Sequence, residues 1–484
     1  MRRTLAVLLA GLGALVLHPG VARAQYFGQN KVQYRAFDFQ IIQTEHFDAY
    51  YYGTERAAAL DAARMAERAY ARLSRILQHQ WLQRKPLLLY ASQSDFQQTN
   101  AVEGDLGEGT GGVTEFLKHR MVLPFTGSYA DFEHVLQHEM VHAFQYDVFS
   151  RGHPGAGLEA ISRINPPLWF MEGMAEYLSI GPVDPHTAMW LRDAAVEGKL
   201  PTIEQLTNDP RIFPYRFGHS IWAYVGQRWG DETIGAILQG AMAGGIDAAF
   251  RRVLGESLEQ LSDDWRDAVQ TMYLPQIADH QRARHFARAL LTEKIAKGSL
   301  HVAPQVSPDG RNVAYLSERD FFFVDLYLAD AETGRVKRRL VRSSIDPNFE
   351  TLRFINSAGS WSPDGEEFAF AAKKGDQDNL VLLDVAHDRV VAQLRLGLDA
   401  ITNPSWSPDG QRLVFTGYDG GWSDLYVVDT DGQNLRRLTA DRLQDLHAAV
   451  VDEFAAEGDR DLLHQNLAVI RKAPGQQRVD RHLR

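Results

Sequence analysis

The stretch HVLQHEMVHAFQYD, residues 134–147, sets His138 and His142 four positions apart with Glu139 between them, inside an apolar run. In a helix, residues i and i+4 share a face, so the two imidazoles can meet one ion while the carboxylate stands beside it. This is the HExxH arrangement, in which two histidines hold zinc and the glutamate acts as general base toward a water. A catalytic zinc takes three protein ligands and keeps a fourth position open, so one more ligand must come from elsewhere in the chain. The chain has no cysteine, which removes thiolates and leaves histidine and carboxylate as the credible donors. His134, one turn back on the same face, is read as a packed or solvated helix residue rather than a ligand.

PLWFMEGMAEYLS, residues 167–179, resembles the second zinc helix of the gluzincin metallopeptidases (the peptidase MA family), where an aromatic run precedes Glu-Gly-x-Ala-Glu. The resemblance implies that Glu172 is the third ligand. It also implies that Glu176 accepts the far N–H of a ligand histidine and so fixes its tautomer. FPYRFGHSIWAYVGQRWG, residues 213–230, resembles the Tyr-x-x-Gly helix start of zinc aminopeptidases. There Tyr215 would steady the oxyanion of the tetrahedral intermediate, with Gly218 as the glycine and His219 as the alternative donor. Phe217 stands where those enzymes often have lysine. In GTGGVTE, residues 109–115, an edge strand would take extended substrate by strand addition through Gly111, Gly112 and Val113. Glu115 is the candidate for holding a substrate amine, on a loose match to the aminopeptidase Gly-x-Met-Glu-Asn. Glu172 follows His142 by thirty positions, further than in the aminopeptidases, so SRGHPGAGLEAISRINPP is expected to loop out between the helices.

The elements that must position these residues are legible as periods. ERAAALDAARMAERAYARLSRILQHQ repeats apolar residues every three or four positions, and helical period dominates from Thr54 to about Gln281. KPLLLYASQSDF reads as a strand, Gly112 to Pro124 as an edge strand, and the motif helix as starting near Asp131, its N-cap. The fold class is α+β, with a thermolysin/gluzincin-like module over 25–282. A basic connector spans 283–299. VSPDGRNVAYLS, WSPDGEEFAFAA and WSPDGQRLVFTG, starting at 306, 361 and 406, then repeat one unit, each followed by a strand ending in Asp. These units, over 300–450, resemble TolB-like propeller blades, with Pro-Asp-Gly as the tight turn. Their aspartates are turn formers first and calcium ligands only remotely. A closed propeller needs at least about four blades, so three visible copies make an incomplete all-β domain. The tail, 451–484, matches no blade; it is either the product of truncation or frame shift, or a helix covering an open edge.

At the start, Arg2 and Arg3, the apolar run Leu5–Leu17 and the Ala22-Arg23-Ala24 site form a secretory signal over 1–24, with an uncleaved anchor as the alternative. Its removal takes the formal charge from −11 to about −14, which disfavours nucleic acid as a partner. No later stretch is long and apolar enough for a membrane span. The expectation is an exported, periplasmic or extracellular, zinc metallopeptidase with one Zn2+ per chain. Its partners would be a peptide or protein substrate and a protein bound through the propeller. An exported scaffold with a vestigial peptidase module, or an enzyme acting on something other than peptide, are the alternatives.

Overall fold

Alternating apolar residues in the first strands and a helical period after them build the first module of the chain, seen here in a computed structural model. The structure describes residues 31–102, 106–116, 118–150, 164–279, 281–319, 323–343, 346–348, 350–354 and 357–440, and the strand residues 449–451, 469–473 and 476–480. The signal read over 1–24 and most of the segment read as a loop between the two zinc helices lie outside them. Among the described residues no helix is long and apolar enough to cross a membrane.

Five strands form the module's sheet: β1 (Gln40–Gln43), β2 (Phe47–Tyr51), β3 (Lys85–Tyr90), β4 (Val113–Glu115) and β5 (Arg120–Pro124). Their order is β1-β2-β3-β5-β4, with β2, β3 and β5 parallel and β1 and β4 antiparallel to their neighbours. The stretch expected as one edge strand is therefore a hairpin. Only its first arm, β4, lies at the sheet edge, because the turn through His119, with φ of +51°, folds Arg120–Pro124 back inside. The helices α1 (Arg56–Ile76), α2 (Gln93–Phe96), α3 (Tyr129–Ser150), α4 (Leu168–Ile180), α5 (Pro185–Val196), α6 (Ile203–Asn208), α7 (Pro214–Trp229), α8 (Glu232–Gly244), α9 (Ile246–Leu254) and α10 (Leu258–Tyr273) complete the module. One apolar core joins sheet and helices, from Phe47 and Leu87 through Leu73, Phe144 and Phe170 to Trp222 and Trp265.

After α11 (Glu293–Ala296) come three antiparallel sheets. The first holds β6 (His301–Val306), β7 (Asn312–Ser317), β8 (Asp325–Asp330) and β9 (Val336–Val341). The second holds β10 (Thr351–Leu352), β11 (Ser360–Trp361), β12 (Glu367–Lys374), β13 (Gln377–Asp384) and β14 (Arg389–Leu394). The third holds β15 (Ala400–Trp406), β16 (Arg412–Asp419), β17 (Trp422–Asp429) and β18 (Arg436–Arg437). Side chains of β12 alternate between neighbours: Phe368 and Phe370 pack with Leu316 and Leu326 of the first sheet, Ala369 and Ala371 with Ile401 and Phe415 of the third. At each repeat the serine hydroxyl donates to the turn aspartate, Ser307–Asp309 and Ser362–Asp364 at 2.6 Å and Ser407–Asp409 at 2.5 Å. The glycines that follow, Gly310, Gly365 and Gly410, have φ of +72°, +75° and +69°, a region that only glycine enters cheaply. Toward the tail, β19 (Ala449–Val451), β20 (Val469–Ala473) and β21 (Gln476–Asp480) form a small sheet, and the rest of the segment for which a helix was considered lies outside the described residues. Its β19–β20 pair is parallel, unlike the blades.

Parts of the connector and the residue before it are anchored to the modules. Leu290 and Leu291 lie against Tyr315 and Tyr327, Ala296 is fully buried, and Arg282 pairs with Glu197 at 2.8 Å. The two modules also share a buried seam. Ser94 Oγ, on α2, donates to Asp378 at 2.9 Å and accepts from Arg353 Nη2 at 2.6 Å. The Phe354 N–H donates to Glu108 at 2.9 Å, and Ser423 Oγ to the Gly127 carbonyl at 2.9 Å. A Cβ on Gly127 would fall 2.1 Å from the Tyr418 ring. The third sheet thus grips the chain just before α3 begins.

Candidate metal centre

Helix α3 starts two residues before the expected Asp131, because the Ser128 hydroxyl, not Asp131, caps it by accepting the Asp131 N–H at 3.2 Å. Leu136, Met140, Val141 and Phe144 fix it in the core. Its last turn is pinned by buried Asp147, which meets Lys85 Nζ, His79 Nε2 at 2.7 Å and His119 Nδ1 at 3.3 Å. Helix α4 buries Trp169, Phe170, Met174 and Ala175, which turns Glu172 and Glu176, one turn apart, toward α3. It crosses α7 in backbone contact: a Cβ on Gly173 would lie 2.4 Å from the Gly218 carbonyl carbon, and one on Gly218 2.5 Å from the Trp169 carbonyl oxygen. That crossing brings Tyr215, at the start of α7, to Glu172.

His138 Nε2, His142 Nε2 and Glu172 Oε2 form a near-equilateral triangle: 3.2 Å between the nitrogens, and 3.2 and 3.1 Å from each to the carboxylate oxygen. Among the described residues this is the one such cluster of possible metal ligands. Tetrahedral ligands at zinc distances stand about 3.3 Å apart, so the triangle has the size of one tetrahedral face. The tautomer agrees. Gln145 Nε2 donates to the Met171 carbonyl at 3.0 Å, which turns Oε1 to accept from His142 Nδ1 at 2.9 Å. His142 Nε2 therefore carries a lone pair, aimed at a carboxylate oxygen and at a second imidazole. Converging lone pairs repel unless a cation sits among them, so the donor set fits zinc. Without a cation the cluster draws protons. Burial opposes this, but the carboxylates of Glu172 and Glu176 beside it push His138 up to about 10. Burial likewise opposes ionisation of Glu172, yet the two histidines hold it far below the usual carboxylate range.

Glu176 is buried, with Oε1 at 3.4 Å from His138 Nδ1, which makes no aligned hydrogen bond. Its other oxygen accepts from Arg216 Nη1 at 3.0 Å, and Arg216 also reaches Asp184 at 3.3 Å. His134 rests on Ser179 at 3.0 Å, outside the triangle. The Tyr215 ring lies parallel to His138 at 6.2 Å, and its hydroxyl reaches Glu172. Burial, then the charge of Glu172, pushes this phenol up. His219, the alternative donor, is instead committed to the Gly181 carbonyl at 2.7 Å.

Glu139 is buried under β4, where Thr114 Oγ1 stands 2.6 Å from its Oε2 and 2.8 Å from its carbonyl oxygen. A Cβ on Gly112 would come within 2.9 Å of the Glu139 side chain. Gly111 and Gly112 therefore let the backbone run close over the base. Val113 and Glu115 alternate with Thr114 and face the other side of the sheet, where Val113 packs beside Tyr90 and Val122. There Glu115 meets Arg120 Nε at 3.2 Å and the Lys118 N–H at 3.0 Å. This places it away from Glu139, a departure from the amine-holding role expected for it. The sequence reading missed Gln145, Thr114, Arg216 and Tyr146, whose ring stacks on His142 at 6.1 Å. Gln145 had a signal, since it stands three positions after His142 on the same helix. Thr114 and Arg216 had none, because their partners are distant in sequence.

Comparison with known proteins bears on the second module. Residues 290–460 match the family described as the TolB beta propeller domain. Among solved structures, a TolB of Agrobacterium tumefaciens is 22% identical over 31% of this chain and 51% of that one, with a TM-score of 0.26. TolB of Acinetobacter baumannii is 25% identical over 29% and 33%, with a TM-score of 0.24. A nidogen/laminin complex is 15% identical over 35% and 58%, with a TM-score of 0.27. The matched region is less than two thirds of each of these chains. No curated protein matches the chain.

Proposed function

We propose that the chain is an exported zinc metallopeptidase whose propeller takes part in binding a protein substrate or partner. The observation that carries this reading is the triangle of His138, His142 and Glu172 donor atoms beside the buried carboxylate of Glu139. Zinc held there would supply Lewis-acid chemistry, polarising a carbonyl and acidifying a water. The chain's own residues do the rest. An extended peptide pairs with the free edge of β4 near Gly111 and Gly112, which sets the scissile carbonyl over the site. Glu139 takes a proton from the attacking water and passes it to the leaving amine nitrogen as the C–N bond breaks. Tyr215 donates its hydroxyl to the oxyanion, and its raised phenol keeps that proton available. Gln145 and Glu176 hold the imidazoles in orientation. Export rests on the leader read over 1–24, and a protein partner on the propeller, which offers sheet edges and loops for contact.

The test is Glu139→Gln. Purified chain should retain about one equivalent of zinc while cleavage of a peptide library falls by about 100-fold or more, as expected when a general base is removed. Chelator should abolish cleavage by the parent. Loss of metal in parallel with activity would move Glu139 into the ligand set. Zinc binding without any cleavage by the parent would leave the scaffold reading standing.

A further inference from the structure

Two segments enclose Glu139, and both are fastened to the second module shortly before they reach it. Helix α3 is one. Ser423 Oγ donates to the Gly127 carbonyl at 2.9 Å, two residues before the helix begins, and the Trp422 ring meets that of Tyr129, its first residue, at 4.6 Å between centroids. The other is the glycine segment that leads into β4.

At Gly111 and Gly112 that segment has no side chain to anchor it, and none would fit: a Cβ would come within 3.3 Å of Val135 at the first and 2.9 Å of Glu139 at the second. Its path is set by the turn before it. The Thr110 N–H donates to the Gly107 carbonyl at 3.2 Å, and the Gln93 side chain donates to the Gly107 and Thr110 carbonyls, both at 3.1 Å. From the same turn, Glu108 accepts the Phe354 N–H of the propeller at 2.9 Å. The neighbours of these residues close the circuit. Ser94, next to Gln93 on α2, accepts from Arg353, next to Phe354, at 2.6 Å, and Arg353 is buried against Asp378. The turn is therefore clamped between α2 on one side and the propeller on the other. Glycine loses more backbone freedom on ordering than any other residue. A glycine strand held in place beforehand spares a ligand that pairs with it this cost.

We propose that Gln93 and Glu108 are positioning residues for the substrate strand: through them the propeller holds residues 111–113 over Glu139, ready to pair with an extended peptide. What the strand pairs with rests on the peptidase reading, whereas the clamp can be tested without catalysis.

Hydrogen exchange and peptide binding on the full chain test it, both in a Glu139→Gln background that consumes no peptide. Glu108→Ala and Gln93→Ala should each quicken exchange over residues 106–115 by about tenfold, the scale of one lost hydrogen bond. Affinity for a fluorescein-labelled pool of randomised octapeptides, read by anisotropy, should fall by about tenfold. For a pool of dipeptides, too short to pair along the strand, it should fall much less. Glu108→Gln keeps an acceptor for the Phe354 N–H and should restore both readouts. Lys373→Met cuts a different bond of the seam, from Nζ to Gln97 at 2.9 Å, and should leave both unchanged. Unchanged exchange in Glu108→Ala and Gln93→Ala would overturn the proposal, as would faster exchange with octapeptide affinity untouched. A Lys373→Met chain that behaves like Glu108→Ala would overturn it too, since the seam as a whole would then be responsible. So would absence of saturable octapeptide binding before any of these substitutions. A chain with Glu139 in place that cleaves nothing, while both shifts appear, would remove the peptidase reading and leave the positioning intact.

Discussion

Two of the places where charge is buried in this chain are resolved in opposite ways. At the seam between the modules, Arg353 sends Nε to Asp378 Oδ1 at 2.9 Å and Nη2 to the same oxygen at 2.6 Å, and Ser94 bridges the pair. The positive and negative charges cancel inside the protein. At the metal centre, one carboxylate oxygen and two imidazole nitrogens converge without a protein cation among them. A balanced pair is a structural device, whereas an unbalanced donor set is poised for something from outside. The contrast is sharpest in what each place loses when one member is removed.

The largest effect is expected at Glu172. Glu172→Ala should abolish stoichiometric zinc binding, measured against a chromophoric chelator, because two histidines alone do not make a zinc site of three protein ligands. Gln145→Ala and Glu176→Ala touch only the orientation of His142 and His138, and each should weaken zinc by about 10- to 100-fold. Unchanged affinity in Glu172→Ala would put the third ligand elsewhere and erase the difference between the two places.

At the seam the loss should appear in stability instead. Arg353 and Asp378 are 5% and 3% exposed, so Arg353→Ala leaves a buried carboxylate without its counter-charge. Breaking a buried pair in this way costs about 3–5 kcal/mol. Urea unfolding should register it, with zinc stoichiometry unchanged. The double variant Arg353→Met/Asp378→Leu, which removes both charges, should recover most of the loss. A cost below about 1 kcal/mol for Arg353→Ala would mean that water reaches Asp378 and the seam is not a sealed interface.

The same contrast explains what could be read from the sequence. His138, Glu139 and His142 share one helix, and Glu172 and Glu176 share another, so fixed helical spacing brings each set to one face before any packing is known. The Ser-Pro-Asp-Gly turns are equally local, each closing on its own serine, aspartate and glycine. The seam joins α2 to strands more than 250 residues away, with Ser94 and Arg353 separated by 259 positions, and no local pattern marks that meeting. The reversal at His119 was missed for a related reason. A non-glycine residue at φ of +51° ends one strand and starts another inside a run that reads as continuous β sequence. The face that Glu115 occupies on the same strand was equally illegible, and Thr114 takes the face over Glu139.

A third buried charge, at the same seam, is repulsive rather than balanced, and it yields the smallest of the expected effects. Glu55, 5% exposed at the start of α1, has a carboxylate oxygen without a hydrogen-bond partner. Burial, reinforced by the negative charge of Asp399 on the propeller, raises it from 4.5 to about 7. Asp399 itself, beside Asp419 and accepting the Gly420 N–H at 2.9 Å, is raised by burial from 3.8 to about 6. For a carboxylate raised in the folded state, the folded chain holds the proton more tightly than the unfolded one. The stabilisation is then fully present below pH 4.5 and is lost as pH rises through 7. Glu55→Gln keeps the shape and removes the titration. By denaturant unfolding it should match the parent near pH 4.5 and exceed it at pH 8 by about 1–3 kcal/mol, each pKa unit being worth about 1.4 kcal/mol. A parent and variant that stay parallel across this range would mean that Glu55 keeps its ordinary affinity for protons, and that the seam opens enough for water to reach it.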